Sequence, residues 1–177
     1  MIMCCKLGQI NENLALLIHL QLKLLYSCRR RKLQKTFEIR VNTIGQRLIN
    51  ITEDIKDFVD SSEIEFGFLN ISILHTSASL IIQENASRDV LVDLLNFYDK
   101  LVPMNGTSYN HSLEGKDDMP AHIKTSLTST NLTISIVDGS MKLGFWQGIY
   151  LFEHRIENHL RIVFCHIMGE NDSFFKS

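Results

Sequence analysis

The stretch EGKDDMPAHIK (residues 114–124) concentrates carboxylates, a proline and a histidine in a chain otherwise rich in apolar residues. Pro120 suits the first turn of a helix, and Asp118 is well placed to be the N-cap of that helix. The acidic residues therefore have a structural explanation, because carboxylates favour the positive end of a helix dipole. That explanation does not cover His122, since the same dipole disfavours an imidazolium in the first turn. A neutral imidazole held there can bind a metal or act as a general base.

His111 precedes His122 on a polar loop that can fold back toward the helix start. Imidazole nitrogens are common ligands of divalent transition metals. We therefore predict that His111 and His122 are ligands of a divalent metal ion, either Zn²⁺ or Mg²⁺. The alternative is that the two histidines have independent roles, because this spacing alone does not define a metal-binding motif.

A second group of polar residues follows a predicted strand in the sequence HTSAS (75–79). His75 and the hydroxyl groups of Ser77 and Ser79 offer hydrogen-bond donors to phosphate oxygens. A strand end with solvated hydroxyls is the alternative. A nucleophilic serine is disfavoured, because no G-x-S-x-G elbow surrounds these residues.

The segment FWQGIYLFEHR (145–155) contains polar residues on an apolar strand face. Alternation places Gln147 and Glu153 on the same face as three apolar side chains. A buried carboxylate requires a partner. We expect a metal or a substrate cation to be the partner of Glu153, rather than Arg155.

The composition is that of one globular domain: 177 residues, of which 45% are apolar and 21% charged. A formal net charge of −2 without a basic stripe argues against binding to nucleic acid or to an anionic membrane surface. The cysteines fit neither a disulfide framework nor a paired zinc motif, so we expect reduced thiols and a cytoplasmic protein. They are Cys4, Cys5, Cys28 and Cys165.

The first 32 residues differ from the rest of the chain. The apolar run LALLIHLQLKLLY (14–26) is followed by SCRRRKLQK. The run is too short and too polar to span a bilayer, and its flanks do not match a secretory signal. An uncleaved helical extension, an organelle-targeting segment and a poorly ordered appendage are the three alternatives.

The remainder predicts short strands and amphipathic helices. The predicted strands are 37–41, 47–52, 63–75, 131–137, 141–154 and 161–169, and the predicted helices are 53–61, 87–101 and one beginning near Asp118. A phase change in the apolar pattern suggests a bulge near Leu69, and Asp138-Gly139 predicts a hairpin turn. The predicted fold class is α+β and mainly antiparallel β. We expect a sandwich or open barrel of about six to seven strands with two to three flanking helices.

Several blocks of the sequence together resemble the YjbQ-like family, which is often described as secondary thiamine-phosphate synthase. They are HTSASLIIQENA (75–86), YNHSLEGKDDMPAHIK (109–124), the Asp-Gly turn at 138–139 and LGFWQGIYLFEHR (143–155). The resemblance runs from about Leu33 to Glu170. We therefore take 33–177 as a YjbQ-like domain and 1–32 as an extension outside it.

The resemblance implies a β-rich homotrimer with a polar pocket that contains the motif histidines. It also implies an enzyme that joins hydroxymethylpyrimidine diphosphate to a thiazole phosphate and releases pyrophosphate. In this hypothesis the metal offsets the charge of the diphosphate, Asp118 orients a histidine ligand, and His75 or Glu153 completes the ligand set. The residues carried over are His75, Asp118 and Glu153 as catalytic, Ser77, Ser79, Asn85 and Gln147 as substrate-binding, and His111 and His122 as metal ligands. Glu114 is also carried over, without an assigned role.

Two rival functions stay open. The first is a non-catalytic module that binds a small phosphorylated or heterocyclic metabolite. The second is a metal-dependent hydrolase that uses the same histidines. The sequence lacks an acidic D-D-x-x-D cluster for Mg²⁺, which counts against diphosphate chemistry.

Overall fold

The computed structural model describes residues 14, 16–19, 21, 31–104 and 109–171. The strands of this described part are β1 (Arg31–Thr43), β2 (Arg47–Asn50), β3 (Phe66–Ile73), β4 (Ala78–Glu84), β5 (Asn131–Val137), β6 (Ser140–Met141), β7 (Gln147–Glu153) and β8 (His159–Asn171). Its longer helices are α1 (Thr52–Asp60), α2 (Arg88–Leu101) and α3 (Asp118–Leu127). Residues 14, 16–19 and 21 are also helical. The predicted alternatives for residues 1–32 fall mostly outside the described residues.

The strands form two antiparallel sheets. The larger sheet has the order β1-β8-β3-β5-β6, and the smaller one has the order β2-β7-β4. Every pairing between these strands is antiparallel. The predicted fold class, α+β with mainly antiparallel strands and flanking helices, is therefore confirmed.

The hydrophobic core lies between the two sheets. Alternate residues of β3 and β8, such as Leu69, Ile71 and Val163, are buried together with Ile149 and Leu151 of β7. Strand β7 is also buried on its other face, where Phe152 packs against Tyr98 of α2 with ring centroids 5.3 Å apart. Because β7 is buried on both faces, the residues at its end are held in fixed positions.

The turn at Asp138-Gly139 is confirmed, because both residues adopt positive φ angles of 54° and 70°. The strand predicted over 141–154 is wrong as one element. The chain leaves the larger sheet after β6, and β7 then pairs in the smaller sheet between β2 and β4. Strand β4 was not predicted, since its first three residues are all buried and give no simple alternation.

The predicted bulge near Leu69 is also wrong. Strand β3 pairs with β5 without interruption from Phe66↔Val137 to Ser72↔Asn131. The change of apolar phase has another origin: Phe66 and Phe68 lie on the outer face and are 43% and 58% exposed. The larger sheet therefore has apolar side chains on its solvent side as well as its core side.

No described helix is both long enough and apolar enough to cross a membrane.

The described cysteine, Cys165, is a buried free thiol on β8. Burial raises the pKa of Cys165 to about 12, so the thiol stays protonated.

Candidate functional site

Helix α3 and the loop before it bring His111, Asp118 and His122 together. The Nε2 atom of His111 lies 2.7 Å from Oδ2 of Asp118. The Nε2 atom of His122 lies 3.3 Å from the same oxygen, because Asp118 and His122 are one turn apart on α3. One donor atom from each of the three residues can be chosen so that all lie within 4.8 Å of one another. The structure thus joins the two predicted metal ligands through a carboxylate.

The start of α3 differs from the prediction by one residue. The N-cap is Asp117, not Asp118, and its side chain makes no capping hydrogen bond. Asp118 is the first helical residue, and its carboxylate is turned toward the histidines. Asp118 therefore contacts both histidines through one oxygen, and its role in orienting a histidine ligand stays a prediction.

The guanidinium of Arg155 holds the two aspartates in place. Its Nε donates to Oδ2 of Asp117 at 3.0 Å, and its Nη1 donates to Oδ1 of Asp118. Its Nη2 also donates to the carbonyl of Glu114 at 2.7 Å. Arg155 is only 8% exposed, so these ion pairs are well shielded from water. The residue therefore fixes both the loop before α3 and the orientation of the Asp118 carboxylate.

Asp117 is held as a carboxylate by its neighbours. Burial alone would raise its pKa, but hydrogen bonds from the backbone N–H of Ile156 and from Arg155 outweigh burial. The pKa of Asp117 is therefore lowered. The negative charge next to α3 is a permanent feature of the folded state near neutral pH.

The backbone at Thr76 fixes the ring of His122. Nδ1 of His122 lies 2.9 Å from the Thr76 carbonyl oxygen. A carbonyl can only accept, so Nδ1 carries the proton and donates it. A neutral His122 consequently has its lone pair on Nε2, the atom that faces Asp118.

Glu153 is part of a different network. Arg161 donates to both carboxylate oxygens, from Nη2 to Oε1 at 2.6 Å and from Nε to Oε2 at 2.7 Å. Thr43 Oγ1 and the backbone N–H of Arg155 donate to it as well, and Glu153 is fully buried. Burial would raise the pKa of Glu153, but these hydrogen bonds and the Arg161 charge lower it. The expectation that a metal or a substrate cation neutralises Glu153 is therefore wrong, because Arg161 does so.

The predicted phosphate-binding hydroxyls have partners inside the protein. Ser77 Oγ accepts from Arg161 Nη2 at 3.1 Å, and Ser79 Oγ lies 2.9 Å from Nε2 of His154. Ser77 is 8% exposed and Ser79 is 0% exposed. These serines are therefore positioned to stabilise the strand end, and Thr76 is the exposed hydroxyl of the motif.

His75 is half-buried at the same strand end. Its Nε2 accepts a hydrogen bond from the backbone N–H of Ile162 at 2.8 Å. Burial and the nearby charge of Arg161 lower the pKa of His75. A neutral His75 whose Nε2 accepts must carry its proton on Nδ1, which leaves that atom as a donor.

Asn85 and Gln147, both predicted to bind substrate, support a turn between β6 and β7. Gln147 Oε1 accepts from the Gly144 N–H at 2.7 Å, and the Asn85 N–H donates to the Trp146 carbonyl at 2.9 Å. The turn presents Phe145 and Trp146 to solvent, with 84% and 60% exposure and ring centroids 4.7 Å apart. The Gln147 side chain and the Asn85 backbone thus hold the turn that carries this exposed aromatic pair, whereas the exposed Asn85 side chain reaches the Gln147 carbonyl oxygen at 3.5 Å.

Sequence reasoning missed the roles of Arg161 and Arg155. Arg161 shares the inward-facing alternation of Val163 and Cys165, which is a detectable signal, since a buried arginine demands a buried carboxylate. The ion pairs of Arg155 have no comparable signal, because the residue follows the end of β7 and reaches a loop distant in sequence.

Comparison with known proteins gives consistent matches. The family model described as UPF0047 protein YjbQ-like matches residues 36–170. A UPF0047 protein of Synechocystis sp. is 49% identical over 130 residues, which are 73% of this chain and 88% of that protein. UPF0047 protein YjbQ of Escherichia coli O157:H7 is 38% identical, over 77% of this chain and 98% of that protein. A crystal structure of a yjbq/upf0047 family protein from Clostridium acetobutylicum superposes with a TM-score of 0.69 at 39% identity, covering 74% of this chain and 98% of that one.

Proposed function

This chain belongs to the UPF0047 YjbQ-like family, and we propose that it is a metal-assisted enzyme acting on a small phosphorylated molecule at the cluster of His111, Asp118 and His122. The expected substrates are hydroxymethylpyrimidine diphosphate and a thiazole phosphate. In that reaction the bond from the pyrimidine methylene carbon to the diphosphate oxygen breaks. A bond from that carbon to the thiazole nitrogen forms, and pyrophosphate leaves with the electron pair.

One observation carries the proposal: the Nε2 atoms of His111 and His122 both approach the same carboxylate oxygen of Asp118. The lone pair of a neutral His122 is on Nε2, which lies 3.3 Å from Oδ2 of Asp118. Nε2 of His111 lies 2.7 Å from the same oxygen. Such a contact requires either a proton on Nε2 or a cation shared by the two groups. A divalent ion satisfies both groups and uses all three side chains.

The donor set and its exposure favour a catalytic rather than a structural metal. Two imidazole nitrogens and one carboxylate suit Zn²⁺ or another transition metal better than Mg²⁺, which prefers oxygen ligands. His111 and His122 are partly exposed, with side chains 45% and 33% accessible. Three protein ligands at a solvent-accessible site leave a coordination position for substrate.

The chain's own residues supply orientation around that ion. Arg155 holds Oδ1 of Asp118, so that Oδ2 is directed at the histidines. The Thr76 carbonyl fixes the tautomer of His122 that presents Nε2. When bound, the ion would offset the negative charge on the diphosphate leaving group. His75 can add a neutral donor from Nδ1 at the adjacent strand end.

Other predicted residues take supporting roles in this proposal. Glu153 fixes Arg161, and Arg161 in turn fixes Ser77, so the three position the HTSAS motif without contacting substrate. We also propose that the chain assembles as a homotrimer. The exposed apolar side chains of Leu113, Phe145 and Trp146 support this assembly. A cytoplasmic location is also proposed, and the reduced state expected of the cysteines supports it.

A metal-dependent hydrolase is the second candidate. The coordination position left open by three protein ligands supports it, since two histidines and one carboxylate are also the ligand types of metal-dependent hydrolases. The two candidates differ in what they consume. The transferase requires both substrates before pyrophosphate is released, whereas the hydrolase releases it from the diphosphate alone.

The first experiment measures metal content in the purified full chain after loading with Zn²⁺ and removal of excess ion. We expect stoichiometric metal in the wild type and in the control His166→Ala, which alters a histidine outside the cluster. We expect loss of metal in Asp118→Asn and His122→Ala, with unchanged circular dichroism. A folded wild type that retains no metal would overturn the proposal.

The second experiment measures pyrophosphate release with both substrates, with each alone, and after chelation. Release that needs both substrates and the metal supports the transferase. Release from the diphosphate alone supports the hydrolase. Saturable binding of either compound without turnover would indicate the non-catalytic module.

A further inference from the structure

We propose that Glu114 is a displaceable fourth ligand at the proposed metal site, and that a phosphate oxygen of the substrate takes its place. The inference rests on the proposed function, because it requires a metal at the cluster of His111, Asp118 and His122. It goes further by giving a role to a residue outside those three ligands. It also specifies the chemical class of ligand that displaces Glu114.

The side chain of Glu114 approaches the site from the loop before α3. Its Oε1 atom lies 3.9 Å from Nε2 of His111. The same nitrogen lies 2.7 Å from Oδ2 of Asp118, so the His111 ring faces two carboxylates. A distance of 3.9 Å is too long for a hydrogen bond. The Glu114 carboxylate is therefore next to the site without being bound to it.

The backbone at Glu114 is fixed by the same arginine that holds the site. Nη2 of Arg155 donates to the Glu114 carbonyl oxygen at 2.7 Å, and Nη1 donates to Asp118. The next residue, Gly115, has a φ angle of 108°, which favours glycine. A Cβ atom at Gly115 would also lie only 3.1 Å from Oδ1 of Asp117. The loop is thus held against the arginine and the aspartates, and the base of the Glu114 side chain stays close to the site.

The end of the Glu114 side chain, in contrast, is free to move. The side chain is 67% exposed, whereas that of Asp118 is 2% exposed. Exposed side chains change rotamer rapidly, and water solvates the carboxylate in each rotamer. A buried carboxylate cannot move in this way without leaving its partner unpaired. Asp118 is therefore suited to be a permanent ligand, and Glu114 is suited to be an exchangeable one.

The charge of the site explains both the binding of Glu114 and its displacement. Two neutral imidazoles and one carboxylate leave a divalent ion with a net positive charge, and Zn²⁺ takes a fourth ligand. A second carboxylate cancels that charge. A phosphate oxygen supplies the same negative charge and can replace Glu114, whereas a neutral ligand leaves the positive charge uncompensated. The exchange therefore favours substrates that carry a phosphate or diphosphate.

The first test is isothermal titration of Zn²⁺ into the metal-free full-length protein. In Glu114→Gln we expect roughly tenfold weaker binding, at the low end of the range for groups around a metal, because water takes the vacated position. Glu114→Asp keeps the charge but is one methylene shorter, so it should restore only a small part. Glu38→Gln is the matched control, since Glu38 is an exposed glutamate on β1, and it should bind Zn²⁺ like the wild type.

The second test is titration of inorganic pyrophosphate into the Zn²⁺-loaded protein. Because Glu114 competes with pyrophosphate for one position and repels it, Glu114→Gln should bind pyrophosphate more tightly than the wild type does. Removal of one like charge about 4 Å away in water corresponds to a gain of roughly fivefold. Glu38→Gln should leave the affinity for pyrophosphate unchanged.

The outcomes distinguish this inference from the proposed function. If the wild type binds Zn²⁺ and Glu114→Gln matches it in both titrations, the ligand role of Glu114 is wrong while the metal site stands. Wild-type Zn²⁺ affinity in Glu114→Asp would show that Glu114 acts through its charge alone, which also overturns the inference. Weaker pyrophosphate binding in Glu114→Gln would contradict displacement. A folded wild type that binds no Zn²⁺ would overturn both the inference and the proposed function.

Discussion

Arg161 binds the carboxylate of Glu153 with two hydrogen bonds, of 2.6 and 2.7 Å, between the ends of β8 and β7. Both residues are almost completely buried, with 3% and 0% exposure. Removing one partner of such a pair leaves an uncompensated charge in the interior. The pair therefore determines whether the strand ends that support the HTSAS motif remain ordered.

We expect Arg161→Met to lower the free energy of unfolding by about 3–5 kcal/mol, measured by chemical denaturation. The double variant Glu153→Leu/Arg161→Met should cost less than the sum of the two single variants, because neither charge of the pair is left buried without its partner. Arg40→Met is the control, since Arg40 is exposed and forms an ion pair with the exposed Glu38. A loss below about 1 kcal/mol in Arg161→Met would contradict the structural role.

Arg155 is expected to act through Asp118. The variant Arg155→Gln removes the charge that holds Oδ1 of Asp118, so we expect roughly 10- to 100-fold weaker Zn²⁺ binding by isothermal titration. Arg155→Lys should restore only part of it, because lysine cannot contact both aspartates with a planar fork. Arg40→Gln should leave the affinity unchanged. Unaltered Zn²⁺ affinity in a folded Arg155→Gln protein would exclude the positioning role.

His154 is expected to make the protein sensitive to acid. Burial, followed by the Lys124 charge, lowers its pKa from 6.5 to about 3. Between these values the unfolded chain binds a proton that the folded chain does not, so stability is lost as the pH falls below 6.5 toward 3. Each pH unit in this range costs about 1.4 kcal/mol, so the loss at pH 5 is about 2 kcal/mol.

The measurement is urea denaturation at pH 7 and pH 5 for the double variant Ser79→Ala/His154→Phe. This variant removes the titrating ring together with its Ser79 partner, so its stability difference between the two pH values should shrink by about 2 kcal/mol. His166→Phe is the control and should keep the wild-type difference. An unchanged difference in the double variant would show that another group causes the acid sensitivity.

Gly67 and Gly169 face each other where β3 meets β8. A Cβ atom at Gly67 would lie 2.1 Å from the carbonyl oxygen of Met168, which is backbone and cannot move aside cheaply. We expect Gly67→Ala to lower the melting temperature markedly, with a cost of about 1–3 kcal/mol or more. Gly144→Ala is the matched control, because its Cβ would meet only the flexible side chain of Gln147 at 3.2 Å. Similar melting temperatures for both variants would contradict the close strand approach.

The exposed aromatic turn can be followed by fluorescence, since Trp146 is the chain's single tryptophan. Gln147→Ala removes the acceptor for the Gly144 N–H, a hydrogen bond of 2.7 Å. We expect lower Trp146 anisotropy in this variant, with a stability loss of only about 0.5–1.5 kcal/mol. Gln34→Ala, an exposed residue on β1 of the other sheet, should leave the anisotropy at the wild-type value. No change in Gln147→Ala would mean that the turn is held by other contacts.

The sequence by itself determined the fold class, most of the elements and the helix start within residues 114–124. Helix α2 and the Asp138-Gly139 turn were predictable because their signals are local: apolar spacing in one case and positive φ in the other. His111 and His122 were predicted to bind a metal from residue type and position, and the structure brings the two side chains together. These inferences need no knowledge of which distant residues meet.

Only the tertiary structure decided which side chains are the hydrogen-bond and ion-pair partners of the polar residues. Residue type alone suggested that Glu153 needs a metal and that Ser77 and Ser79 are free for phosphate, whereas Arg161 and His154 already occupy those groups. The sequence also left open what joins His111 to His122, and the fold placed Asp118 between them by fixing its other oxygen with Arg155. The physical reason is that a buried polar group takes its partner from whichever strand or loop the chain brings nearest, and sequence spacing does not encode that proximity.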